Sequence, residues 1–246
     1  MSGGRGRSDP RRGRDRRRAR RGGRRVGPFR HHAPIVRGMD ALTLIAIADR
    51  AGIVAFAISG VAVGRRAGMD LFGLATLGLV AAIGGGILRD ALIGEVPRAL
   101  ANTDYLLYAT AAVAAAVAFG AAGGRLPVAV LDAADAVGTG AFAVTGALVA
   151  TEAGLDWPPA ILLAILTATG GGVLRDMLAT RLPHVLQAEL NATASAFGGG
   201  LVFLLRSDPT AAVLVGAAVT ITISMVGHRG WMRLPRLGGE PEPHHR

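Results

Sequence analysis

Two stretches constrain this chain more than anything else in it: Gly84-Gly85-Gly86-Ile87-Leu88-Arg89-Asp90 and Gly170-Gly171-Gly172-Val173-Leu174-Arg175-Asp176. Each lies inside an apolar segment, residues 71–94 and 157–180, long enough to cross a bilayer as a helix. Three consecutive glycines have no side chains to shield or stiffen the backbone, so a membrane helix is expected to unwind or bend there; the alternative is that they serve only to let another helix approach closely. The Arg-Asp pair that follows sits at or near membrane depth, where ionisable groups are costly and face a partner or a wet interior. A broken helix with charge beside the break, used twice, points to a permeation or binding pathway.

The two copies are 86 residues apart, and the same offset relates most of the chain. Asp49, Gly52, Phe56, Gly60, Gly68 and Asp70 map onto Asp135, Gly138, Phe142, Gly146, Gly154 and Asp156, and Pro97 maps onto Pro183. The chain is therefore a duplicated unit. With 51% hydrophobic residues, 36 glycines and only 18% charged residues in 246, it reads as an all-α polytopic membrane protein.

Seven apolar segments are expected to be transmembrane helices: residues 41–64, 71–94, 105–123, 128–150, 157–180, 190–205 and 210–227. Helices two and five carry the triple glycines and are expected to break at them. The division is a first three-helix repeat at 39–124, a second at 125–206, and an extra helix at 207–228. Three spans per unit is an odd number, so the second unit enters the membrane from the opposite side, as an inverted repeat.

The formal charge of +10 belongs to a tail. Residues 1–38 hold fourteen arginines against Asp9 and Asp15, and no lysine occurs anywhere. That tail is expected to be disordered. It is either dispensable or upstream sequence, with Met39 as the natural start; RNA binding through it is the third functional reading, and no nucleic-acid partner is expected. Residues 229–246 are expected to be a disordered polar tail. Arg65, Arg66, Arg125, Arg181, Arg229, Arg233 and Arg236 fall on one side, against Arg98 and Arg206 on the other. This asymmetry predicts a cytoplasmic C-terminus in a cell (inner or plasma) membrane.

Asp49 and Asp135 occupy equivalent positions in spans one and four. A carboxylate inside a span costs about 2.5–3.5 kcal/mol on insertion scales, so each needs water or a partner. Arg89 and Arg175 are the natural partners, with pairing across the symmetry axis expected. The arginines serve either a site or a clasp between the repeats. Asp90 and Asp176 are weaker candidates, suited to neutralising the helix end beyond the break. Ser59, Thr139, Thr145 and Thr169 are candidates for a polar path, and His184 and His228 read as solvated loop residues. With no cysteine and no GxxxxGK[ST], HExxH or GxSxG pattern, no catalytic residue, metal site or enzymatic activity is expected.

The doubled Gly-Gly-Gly-x-x-Arg-Asp motif in a 3+3+1 chain resembles the prokaryotic trimeric intracellular cation (TRIC) channel family, whose domain is also called a glycine-transporter membrane domain. The resemblance covers residues 41–227. It implies a homotrimer with one pore per protomer, kinks at Gly84, Gly85, Gly86 and at Gly170, Gly171, Gly172, and conduction of potassium as permeant ion, with membrane lipids as surroundings and no cofactor. The alternative is a secondary transporter for glycine or another small zwitterion.

Overall fold

A computed structural model describes residues 40–186 and 190–229. The expectations for residues 1–38, for Met39 as a start, and for the polar tail beyond Arg229, with Arg233 and Arg236, lie outside the described residues. Within them the chain is helical: α1 Ala41–Arg66, α2 Leu71–Leu92, α3 Arg98–Ala101, α4 Thr103–Ala121, α5 Val128–Glu152, α6 Trp157–Leu178, α7 Asn191–Leu204 and α8 Pro209–His228. A single 3₁₀ turn, His184–Leu186, lies between α6 and α7.

Six of these helices, α1, α2, α4, α5, α6 and α8, are long and apolar enough to span a membrane. The remaining expected span is α7, whose 14 residues rise only about 21 Å against a hydrocarbon core of about 30 Å. The short α3, Arg98–Ala101, has no separate signal in the apolar pattern.

The duplication is visible element by element. α2 and α6 coincide at both ends after the 86-residue shift, α1 matches α5, α3 matches the 3₁₀ turn, and α4 matches α7. Even the caps repeat: Asp70 accepts a hydrogen bond from the Gly73 amide at 2.8 Å, and Asp156 accepts one from the Trp157 amide at 2.7 Å. One position breaks the match. Gly94 closes α2 in the left-handed region at φ 78°, whereas its counterpart after α6 is Thr180, held at φ 54°. A β-branched residue is strained there.

α5 is the central helix: 78% of its most apolar stretch is buried, against 22% for α4. It packs on α1, α6, α7 and α8. The C-terminal residues Val63 and Arg66 of α1 line the same cavity as Val128 and Leu131 at the start of α5. The two equivalent helices therefore run antiparallel. Phe56 and Phe142, one from each, meet with ring centroids 5.4 Å apart.

The triple glycines do not break their helices. Regular α-helix runs through all six, from Leu71 to Leu92 and from Trp157 to Leu178. The physical reason is a helix crossing. A Cβ on Gly85 would collide with the Thr167 carbonyl oxygen, and one on Gly171 with the Ala81 carbonyl oxygen. α2 and α6 thus touch backbone to backbone, and the glycines remove the side chains that would hold them apart. Gly60 and Gly146 do the same for α1 on α2 and α5 on α6, where a Cβ would come within 2.9 Å of the Leu77 carbonyl oxygen and 2.6 Å of that of Leu163.

Alanine at Gly85 or Gly171 is expected to force the helices apart and lower stability by about 1–3 kcal/mol. Alanine at Gly86 or Gly172, where the nearest atoms are arginine nitrogens at 3.8 and 3.7 Å, is expected to be neutral or stabilising by up to about 1 kcal/mol. Thr180→Gly is expected to gain about 1 kcal/mol by relieving the left-handed strain. Thermal unfolding of the detergent-solubilised protein checks all five variants; equal losses at Gly85 and Gly86 would contradict the crossing.

Candidate functional site

The α2–α6 crossing carries Arg89 and Arg175, three residues beyond each triple glycine, into two separate buried clusters. In the first, Arg89 donates from Nη1 and Nη2 to the two carboxylate oxygens of Asp49, at 2.8 and 3.1 Å. Its Nε donates to Asp90 Oδ1 at 2.8 Å, and Nη1 also reaches the Thr145 hydroxyl at 3.1 Å. Arg89 is 1% exposed and Asp49 2%. The second carboxylate oxygen of Asp90 accepts the Arg98 backbone N–H at 2.8 Å.

The second cluster repeats this at an offset of 86. Arg175 Nη1 donates to Asp135 Oδ1 at 2.8 Å and to the Ser59 hydroxyl, and its Nε donates to Asp176 Oδ1 at 2.8 Å. Asp176 Oδ2 accepts the His184 backbone N–H at 3.1 Å. A desolvated ion pair holds only when its remaining donors and lone pairs are satisfied as well. The planar guanidinium, with donors in a fixed fork, meets that demand against two carboxylates and one hydroxyl.

The expected pairing across the axis is corrected by this geometry. Each arginine pairs with the aspartates of its own repeat, because α1 packs on α2 and α5 on α6. What crosses between the repeats is the hydroxyl: Thr145 of α5 serves Arg89, and Ser59 of α1 serves Arg175. Asp90 and Asp176, expected at the helix ends as simple neutralisers, are 1% and 2% exposed and form the inner wall of each cluster. The glycines divide by position. Gly84, Gly85, Gly170 and Gly171 belong to the helix crossing, whereas Gly86 and Gly172 line small chambers beside the clusters.

Those chambers are equivalent as well. One, about 10 Å³, is lined by Asp49, Gly86, Arg89, Asp90, Arg98 and Phe142 among others; the other, about 20 Å³, is lined by Asp135, Gly172, Arg175, Asp176, His184 and Phe56. Beyond each lies a larger cavity. That of about 250 Å³ at the start of α1 is lined by Leu42, Arg50, Arg98 and Asp104; that of about 290 Å³ at its other end is lined by Arg66, Asp132, Asp135, Arg181, His184 and His228. Among the candidate hydroxyls, Thr139 and Thr169 line the second chamber, and Thr169 bonds back to the Ile165 carbonyl at 2.8 Å.

The two clusters differ in what stands behind the first aspartate. Asp135 Oδ2 accepts a hydrogen bond from Asn191 Nδ2 at 3.2 Å and has His228 Nε2 at 3.6 Å. His228 is therefore drawn to the cluster by α8, which has no counterpart in the first half, and is not a solvated loop residue. Asn191 and Arg98 are residues that motif reading passes over. Their only signal is the offset, which pairs Asn191 with Tyr105 and Arg98 with His184.

No group of three or more His, Asp or Glu side chains able to hold a metal occurs among the described residues.

Three kinds of known protein are similar to this chain. A family model described as glycine transporter matches residues 46–122 and 132–207, one match to each repeat. A UPF0126 membrane protein of Deinococcus radiodurans is 38% identical over 192 residues, covering 76% of this chain and 89% of that one. The UPF0126 inner membrane protein YadS of Escherichia coli K12 is 34% identical over 193 residues, 76% of this chain and 93% of that one. Among solved structures, one from work on conductance through TRIC cation channels superposes with a TM-score of 0.72 at 34% identity, over 80% of this chain and 98% of that one. The TRIC trimeric intracellular cation channel orthologue from Rhodobacter sphaeroides gives a TM-score of 0.71 at 30% identity, over 77% and 100%.

Breaking either ion pair from one side leaves a buried guanidinium under-compensated, which costs about 3–5 kcal/mol when the site is dry. Asp49→Asn is expected to lie within that range. Asp135→Asn is expected to cost less, because the Asp135 side chain is 15% exposed against 3% for Asp49. Denaturant or thermal unfolding in detergent ranks the two; the reverse order would contradict the difference in burial.

Proposed function

This chain belongs to the TRIC cation-channel family, which the glycine-transporter family model describes, and we propose that it is a potassium-conducting channel with one permeation route through each protomer of a homotrimer. The observation that carries this reading is the charge balance of the duplicated clusters. Each holds two carboxylates to one guanidinium, Asp49 and Asp90 to Arg89, and Asp135 and Asp176 to Arg175. Within each ion-paired set one carboxylate is in excess, beside a chamber with room for about one water or bare ion; in the first chamber Arg98 also stands in the lining and offsets that charge.

A cation passing from one outer cavity to the other meets the first cluster, the crossing and the second cluster in turn. Asp49 and Asp135 attract it, and the hydroxyls of Ser59, Thr139 and Thr145 replace part of its hydration shell. Arg89 and Arg175 compete for the same carboxylates and so close the route at rest; opening is a displacement of each guanidinium toward Asp90 or Asp176. The unbroken helices leave no free glycine carbonyls for the ion, so the carboxylates and hydroxyls carry the attraction. Binding at each stage has to stay weak for the ion to move on.

The antiparallel run of α1 and α5 supports an inverted repeat in the membrane plane. Arg65, Arg66 and Arg125 gather around one cavity of about 340 Å³, and Arg66 shares a second with Arg181 and His228. We assign this arginine-rich end to the cytoplasm, with the C-terminus there, in the cell membrane. The transporter alternative needs an enclosed site for a zwitterion, and the chambers at the charged clusters are too small for one.

Planar-bilayer recording of the purified, reconstituted protein under a K⁺ gradient tests the proposal. Discrete current steps reversing near the K⁺ equilibrium potential are expected, with reduced conductance in Asp49→Asn and Asp135→Asn. Saturable uptake of labelled glycine by proteoliposomes without current steps would overturn it.

A further inference from the structure

Arg98, the first residue of α3, lines both the inner chamber of the first repeat and the outer cavity beyond it. His184 does the same in the second repeat, 86 residues on. Each is moored by its backbone N–H to the second aspartate of its cluster, Asp90 or Asp176. The side chain at this position therefore stands between chamber and cavity in both halves.

In the first half that side chain is poorly held. Arg98 Nη1 is buried and has no hydrogen-bond partner. The carboxylates that line the chamber with it, Asp49 and Asp90, are already engaged by Arg89. Arg50, the other cation of the outer cavity, is in contrast well placed: it donates to the Ala46 carbonyl at 3.1 Å and lies over the Tyr105 and Tyr108 rings at 5.6 and 5.2 Å. A buried guanidinium nitrogen without a partner favours any conformation that supplies one. The outer cavity offers one in Asp104, an exposed carboxylate in its wall.

We propose that Arg98 is a gate side chain: it shuts the passage between the outer cavity and the Asp49–Arg89–Asp90 chamber, and it opens by swinging outward to Asp104. The inference rests on the reading that a cation uses this route, and it adds the residue that controls entry. A fixed positive charge in the passage repels cations while it is inward; paired with Asp104 it leaves the chamber open. The second half has His184 at the gate position and Leu190 where Asp104 would be, so the swinging device belongs to the first half alone.

The chain has no cysteine, so a single introduced thiol reports access directly. Ile83 lines the chamber, and Ile83→Cys places the thiol there. Ag⁺, a thiol-reactive cation, replaces the thiol proton with a sulfur–silver bond and releases H⁺ to buffer. Its rate of reaction in the reconstituted protein is followed by loss of later maleimide labelling after denaturation. Adding Arg98→Ala is expected to speed the reaction about tenfold, the change produced when the open state rises from about a tenth of the population to nearly all of it. Arg98→Gln is expected to act in the same direction, and Asp104→Asn to slow the reaction below that of the parent.

Equal rates in Ile83→Cys with and without Arg98→Ala, in protein that elutes as the parent does, would overturn the gate. An unchanged rate with Asp104→Asn would overturn the outward partner. Arg98-dependent access in a protein that carries no K⁺ current would uphold the gate and overturn the channel.

Discussion

The close crossing of α2 and α6 is the contact on which the rest of the structure depends. Gly85 lies against the Thr167 carbonyl and Gly171 against that of Ala81, so two helix backbones meet without side chains between them. Because the contact is reciprocal at an offset of 86 residues, it is what a local two-fold axis produces. The third glycine of each run and the Arg-Asp pair beyond it are thereby carried away from the crossing in opposite directions. Two equivalent charged clusters result, one on each side, each completed by a hydroxyl from the other repeat.

Burial then dictates the chemistry of those clusters. A guanidinium at 1% exposure needs nearly all its donors met, and one aspartate supplies too few acceptors. A second aspartate adjacent in sequence and a hydroxyl from the other repeat complete the set. Thr145 and Ser59 thus tie each repeat to the arginine of its twin. The symmetry is imperfect where α8 enters. His228 and Asn191 stand behind Asp135, and the more exposed second cluster is the one built against the unpaired helix.

The residue pattern makes the duplication, the helical class and the six ion-pairing residues legible, because spacing and residue type survive without coordinates. It misleads on the glycines. Three in a row satisfy a broken helix and a close crossing equally well, and the deciding information sits elsewhere, in the carbonyls of Ala81 and Thr167. Ion-pair partners are hidden for a similar reason: Asp49 is compatible with either arginine until helix packing chooses. Arg98 and His184 look like loop residues beside a proline; the offset pairs them, but only the structure shows that each lines both a chamber and the cavity beyond it. The short α7 is obscured because residues 190–205 stay apolar on both sides of its ends.

In the channel proposed above, the stoichiometry of two carboxylates to one guanidinium would set what the route tolerates. A balanced pair would leave a neutral wall with little preference among solutes, whereas two arginines would exclude cations. One uncompensated negative charge about 4 Å from an ion is worth about 4 kcal/mol at an effective dielectric constant of 20, enough to offset partial loss of hydration in a chamber the size of a single water. The same carboxylate is shared with a guanidinium that never leaves the protein, so on this proposal the ion would face a competitor at each stage and would not be trapped. Placing one such stage on each side of the α2–α6 crossing would divide the barrier of the proposed route into two smaller ones. Duplication supplied both with the same Asp, Arg and Asp.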